Sequence, residues 1–166
     1  NYQIGFFGWK GRYVLKEGNY VYLGVQLPVY GLTILDVSNP YDVDRVGYEW
    51  LMWYGNQPFL VDDILYLAED SFWESFVTFD VSSKSNPQYL DGITLWDSVH
   101  AVQVDGDYAY LGSADDHDGF QVLDVSDPDD IDFVTDLDVG EEVNAIYLYG
   151  SVAFLGTEDK NDSLVV

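Results

Sequence analysis

One short block recurs along this chain at a fixed interval, and the interval constrains the fold more than any other feature. Gly31-Leu32-Thr33-Ile34-Leu35-Asp36-Val37-Ser38-Asn39-Pro40 returns as Ser75-Phe76-Val77-Thr78-Phe79-Asp80-Val81-Ser82 and as Gly119-Phe120-Gln121-Val122-Leu123-Asp124-Val125-Ser126-Asp127-Pro128. The aspartates stand at 36, 80 and 124, so the period is 44 residues, twice over. A constant period of this size is the signature of a repeat architecture. Each unit buries its apolar face only by stacking on its neighbours.

The third copy shows the unit most cleanly. It reads as four short strands: Ala101 to Val104, Tyr108 to Gly112, Phe120 to Val125 and Phe133 to Asp138. Each is rich in β-branched and aromatic residues and bounded by Gly, Asp, Ser or Pro. No stretch sustains a period of 3.6, so no helix is expected. Leu23, Leu67, Leu111 and Leu155 occupy one position of the second strand, 44 residues apart. The turns before it are Glu17-Gly18, Asp62-Asp63, Asp105-Gly106 and Tyr149-Gly150. Such pairs supply the positive φ of a two-residue hairpin. Asp36, Asp80 and Asp124 precede a Val-Ser turn, where a carboxylate accepts backbone N–H groups and fixes the reversal. That places them in the scaffold rather than in a catalytic site.

Four-stranded antiparallel units at this spacing predict an all-β fold, a four-bladed β-propeller of 44-residue repeats. The blades are expected at about residues 12–51, 56–95, 100–139, and 144–166 together with 1–7. Residues 1–11 align with the fourth-strand slot, Tyr2-Gln3-Ile4-Gly5-Phe6-Phe7 against Leu90-Asp91-Gly92-Ile93-Thr94-Leu95. The N-terminal segment is therefore expected to supply the outer strand of the last blade, beside Ser163-Leu164-Val165-Val166. Donation of the same strand to a second copy would give head-to-tail assembly and a filament.

Gly106-Asp107-Tyr108-Ala109-Tyr110-Leu111, followed by residues 119–128, resembles the LVIVD repeat. The first copy matches well, the second carries a longer turn at Ser83-Lys84-Ser85-Asn86-Pro87, and the fourth is truncated. The resemblance implies a β-propeller that is extracellular or on the cell surface, with no shared catalytic activity.

Charge sets the next limits. Thirty acidic residues against six basic ones give a formal charge of −24. Nucleic acid and anionic membrane surfaces are poor partners for such a chain, since both demand basic residues. With 48% hydrophobic residues the chain still builds a core. There is no cysteine, hence no disulfide and no thiolate chemistry. No apolar run has the length of a membrane helix. Neither a Gly-x-Ser-x-Gly elbow nor a phosphate-binding loop occurs, so no enzyme activity is expected.

Candidate binding residues follow from the register. Arg12, Asn56, His100 and Asn144 begin the first strand of each unit and would line one mouth of a central channel. Their alternatives are a small anion, a metal or water alone. The loops between second and third strands are acidic, with Glu74, Asp118 and Asp162 in register. Oxygen ligands of this kind suit Ca²⁺, although no loop has EF-hand spacing. Trp9, Trp53 and Trp96 fall in the loops between units. There they either wedge between blades or offer a rim for a glycan or a protein. Asn161-Asp162-Ser163 fits the N-glycosylation sequon. The function expected is a non-enzymatic structural or protein-interaction module without a cofactor. The alternative is a Ca²⁺- or glycan-binding, lectin-like module.

Overall fold

The computed structural model describes residues 10–26, 30–114, 117–158 and 164–166, with the backbone alone for 10–12 and 26. The described residues form antiparallel sheets and contain no helix. The first sheet is β1 (Lys10–Glu17), β2 (Tyr20–Gln26), β3 (Gly31–Asp36) and β4 (Asp44–Trp50). The second is β5 (Tyr54–Val61), β6 (Ile64–Asp70), β7 (Phe76–Asp80) and β8 (Gln88–Ile93). The third is β9 (Val99–Asp105), β10 (Tyr108–Ser113), β11 (Phe120–Asp124) and β12 (Asp132–Leu137). The fourth has three described strands, β13 (Val143–Tyr149), β14 (Val152–Thr157) and β15 (Leu164–Val165). Within every sheet the strands lie side by side in chain order. The segment expected to add a fourth strand there, residues 1–7, lies outside the described residues.

The sequence period is a structural period. Leu23 pairs with Thr33, Leu67 with Val77, Leu111 with Gln121 and Leu155 with Val165. The hairpins between first and second strands place Gly18, Asp62, Gly106 and Gly150 at φ of 54°, 52°, 59° and 59°. An L-residue avoids that region, which explains glycine at three of the four positions. The turns between third and fourth strands repeat as closely. Asp36, Asp80 and Asp124 accept the backbone N–H groups of Ser38, Ser82 and Ser126 at 2.8, 2.7 and 2.9 Å. The Ser hydroxyl and then its N–H hold each carboxyl below the usual range.

Sheets stack through their first two strands. β5 packs on β1 and β2, β9 on β5 and β6, and β13 on β9 and β10. Alternation along β6 shows why the central strands read as unbroken apolar runs. Leu65 and Leu67 join Tyr22, Leu32 and Ile34 of the first sheet. Tyr66 and Ala68 join Val99, Ala109 and Leu111 of the third. Each fully buried side chain of this size stabilises by about 1.5–3 kcal/mol. The first and second sheets approach backbone to backbone at Gly24, where a Cβ would meet the Gly55 carbonyl oxygen at 2.4 Å.

Because consecutive strands are antiparallel, the connections alternate between two ends of the molecule. One end carries the tight turns at 18–19, 37–43, 62–63, 81–87, 106–107 and 125–131. The opposite end carries residues 51–53, 71–75, 94–98 and 138–142 and the loop that follows Ser113. The candidate site lies at this second end.

Candidate functional site

At the loop end of the second sheet a cleft of about 490 Å³ is lined by Met52, Trp53, Trp73, Glu74 and Thr94. All five come from the three connections that enter, cross and leave this sheet. The loop that carries Trp73 and Glu74 is tied down from within. The Ser71 hydroxyl accepts the N–H groups of Trp73 and Glu74 at 3.1 and 3.2 Å, and the Ser75 hydroxyl donates to the Ser71 carbonyl at 2.9 Å. The Ser75 N–H donates to the Ile93 carbonyl at 3.0 Å, and the Thr94 hydroxyl donates to the Trp73 carbonyl. The aromatic wall is thus preorganised although Trp73 is 66% exposed.

Glu69 lies on β6, just before this loop. Its neighbour across the ladder is Gly55, and Leu67, two residues before it, packs on the first sheet. The side chain is 1% exposed, and its Oε1 is buried without a hydrogen-bond partner. Burial, and then the charge of Glu74, push the Glu69 carboxyl up to about 8. Glu74 itself is exposed and accepts the Tyr89 hydroxyl at 3.1 Å. Burial, with the Glu74 charge second, raises the pKa of that phenol. The indole Nε1 of Trp53 is likewise buried without an acceptor.

The register positions at the starts of the first strands are partly brought together. The His100 Nδ1 lies 2.8 Å from the Asn144 Oδ1, and the Asn144 Nδ2 donates to the Glu158 Oε1 at 3.4 Å. These three residues and Tyr13 line a cleft of about 450 Å³. Asn56 is instead fully buried, its amide donating to the Val99 carbonyl at 2.7 Å, so it ties β5 to β9. Arg12 lies on β1, with its side chain outside what the structure describes.

Trp96 and Asp118 line a third cleft with Leu95, Gln121, Phe133 and Asp136. Trp96 holds φ at 63°, a strained value for a bulky residue, and is 75% exposed. Glu74 and Asp118 thus open onto separate clefts. Trp9, Asn161 and Asp162 lie outside the described residues. Among the described residues no three His, Cys, Asp or Glu side chains form a group that could hold a metal ion.

A model of the LVIVD repeat matches residues 12–43 and 98–138. The chain carries LVIVD repeats. The matched segments cover β1 to β3 of the first sheet and all four strands of the third. Among solved structures, the computationally designed Ika4 protein superposes with a TM-score of 0.74 at 13% identity, over 98% of this chain and 93% of that one. The computationally designed Ika8 protein gives 0.63 at 13% identity, over 88% of this chain and 42% of that one. These likenesses concern the fold. No curated protein matches the chain.

The LVIVD register also shows what sequence reasoning passed over. Glu69 reads as part of an acidic loop, yet it is the penultimate residue of strand β6, where the other repeats place Val25, Ser113 and Thr157. An acid at a position otherwise apolar or small is the signal that would have singled it out. Trp73 corresponds to Val29 and His117, and Glu74 to Tyr30 and Asp118. The aromatic-acidic cleft therefore belongs to the second repeat and is not a property of the repeat as such.

Proposed function

We propose that the four sheets are blades of a four-bladed β-propeller that acts as a non-enzymatic binding module outside the cell or on its surface. The stacking of each sheet on the next through its first strands supports the propeller reading. Among the described residues β15 lies last in its three-stranded sheet. Residues 2–7 pair with that edge in this reading, within one chain or between copies. Light scattering distinguishes the two: a monomer at all concentrations supports self-closure, and concentration-dependent head-to-tail growth supports strand exchange.

The observation that carries the binding function is the set of exposed apolar side chains at the loop end. Trp50, Met52, Phe72, Trp73 and Trp96 are all more than half exposed and sit in or beside the connections of the first two repeats. Large apolar side chains gathered at one end of a surface suit contact with a partner. Trp96 is held there at a backbone cost, as a functional position would be. Arrays of peptides and glycans, probed with the wild type and with a variant carrying Ser at Trp50, Trp73 and Trp96, test this reading. Wild-type binding that the variant loses is the expected result. Equal behaviour of the two proteins would overturn it.

A further inference from the structure

We propose that the cleft of Met52, Trp53, Trp73, Glu74 and Thr94 receives a lysine side chain of a partner protein. This inference rests on the reading of the loop end as a binding face, and it names the chemistry of the partner. Two indole-bearing walls and a thioether suit the four-carbon stem of lysine. Indole faces also attract an ammonium group through the ring quadrupole. Glu74 places a carboxylate at the same cleft. The molecule around it carries −24, so a basic partner is drawn in and an acidic one repelled.

Glu69 points the same way through its neighbour Glu74. A buried carboxyl with an orphaned oxygen costs stability, and the equivalent positions show that the fold accepts Val or Ser there. The acid has no structural duty visible in its hydrogen bonds. Glu74, which lines the cleft, adds its charge to the burial that raises the Glu69 carboxyl. A cation at Glu74 offsets the charge that helps to raise the Glu69 carboxyl, and a neutral sugar does not.

The test uses intrinsic tryptophan fluorescence and calorimetry on the whole chain. Its ligands are a capped Gly-Lys-Gly peptide, the same peptide with norleucine for lysine, and N-acetylglucosamine. The lysine peptide should bind on the order of tenfold more tightly than the norleucine peptide. Trp73→Ala and Glu74→Gln should each weaken lysine binding by a similar factor, while Asp129→Asn, an exposed acid at the opposite end, should not. Trp73 and Glu74 are exposed, so their variants remain folded. Equal binding of both peptides, equal losses in Glu74→Gln and Asp129→Asn, or no binding of lysine would overturn the proposal. If norleucine or sugar binds instead, and Trp73→Ala abolishes it, the binding face stands and only the lysine assignment falls. If no ligand binds and the array experiment is also blank, both fall.

Discussion

The Asp91 carboxylate of β8 reaches the neighbouring sheet and accepts the Ile131 backbone N–H at 2.9 Å. Thr78 makes a parallel link, its hydroxyl donating to the Pro128 carbonyl at 2.7 Å. The outer part of the second sheet is thereby clasped to the turn that joins β11 to β12. Ile131 is buried, so its N–H has no easy substitute. Asp91→Ala should cost about 1–3 kcal/mol, the price of an unsatisfied buried donor. Urea denaturation should show a lower midpoint at unchanged slope, and an unchanged midpoint would remove the clasp from the stability of the fold.

The hairpin series offers a test with opposite signs at equivalent positions. Asp62 holds the left-handed conformation that glycine holds at 18, 106 and 150. Asp62→Gly should stabilise by roughly 0.5–1 kcal/mol, the left-handed strain of an L-residue less the extra chain entropy of glycine. Gly106→Ala should destabilise by about 1 kcal/mol. No atom lies within 4 Å of its added Cβ, so this cost is one of backbone alone. Thermal melts that move in the same direction for both variants would contradict the account.

Much of this architecture was legible in the chain. The spacing of Asp36, Asp80 and Asp124 announced the repeat, and each makes the same turn with a following Ser. The pairs ending in Gly18, Gly106 and Gly150 announced hairpins that occur where expected. A period reveals which residues share a position, because equivalent residues meet equivalent surroundings. It does not reveal which side chains from three different connections meet. Hence Trp53 was visible as a rim aromatic, but its company with Trp73 and Glu74 was not. Glu69 escaped notice because an acid beside Asp70 reads as solvated, while the ladder turns it inward. Register placed Asn56 at the start of a first strand but did not reveal that its amide donates to the Val99 carbonyl.

Glu69 makes stability depend on pH in a direction opposite to that of an ion-paired carboxylate. Its folded pKa of about 8 lies above the ordinary 4.5. Between those values the folded state binds the proton and the unfolded state has released it, so stability falls as pH rises. Below the window both states are protonated and the effect vanishes, and above it the penalty is constant. The slope from this group approaches about 1.4 kcal/mol per pH unit at its steepest. Burial is the first cause and the Glu74 charge the second, with Tyr89 nearby taking no part below its own raised pKa. Glu69→Gln keeps the shape and removes the titration. The difference in unfolding free energy between wild type and variant should therefore grow from pH 5 to pH 8 in favour of the variant. A flat difference across that range would mean that Glu69 ionises as freely in the folded chain as in the unfolded one.

Trp96 separates stability from binding. Its φ of 63° costs an L-residue about 1–2 kcal/mol. The side chain is 75% exposed and recovers little of that by burial. Trp96→Gly should therefore raise the unfolding free energy by about 1 kcal/mol or more, despite the loss of the largest side chain of the loop. The same variant should bind more weakly to whatever the loop end engages, because the exposed indole is lost from the rim. A gain in stability with a loss of binding is the pattern of a strained residue kept for its surface. If Trp96→Gly instead destabilises, the indole contributes to packing that outweighs the strain, and the rim is then a structural feature at this position. Melting temperature and array binding, measured on one preparation, decide between them.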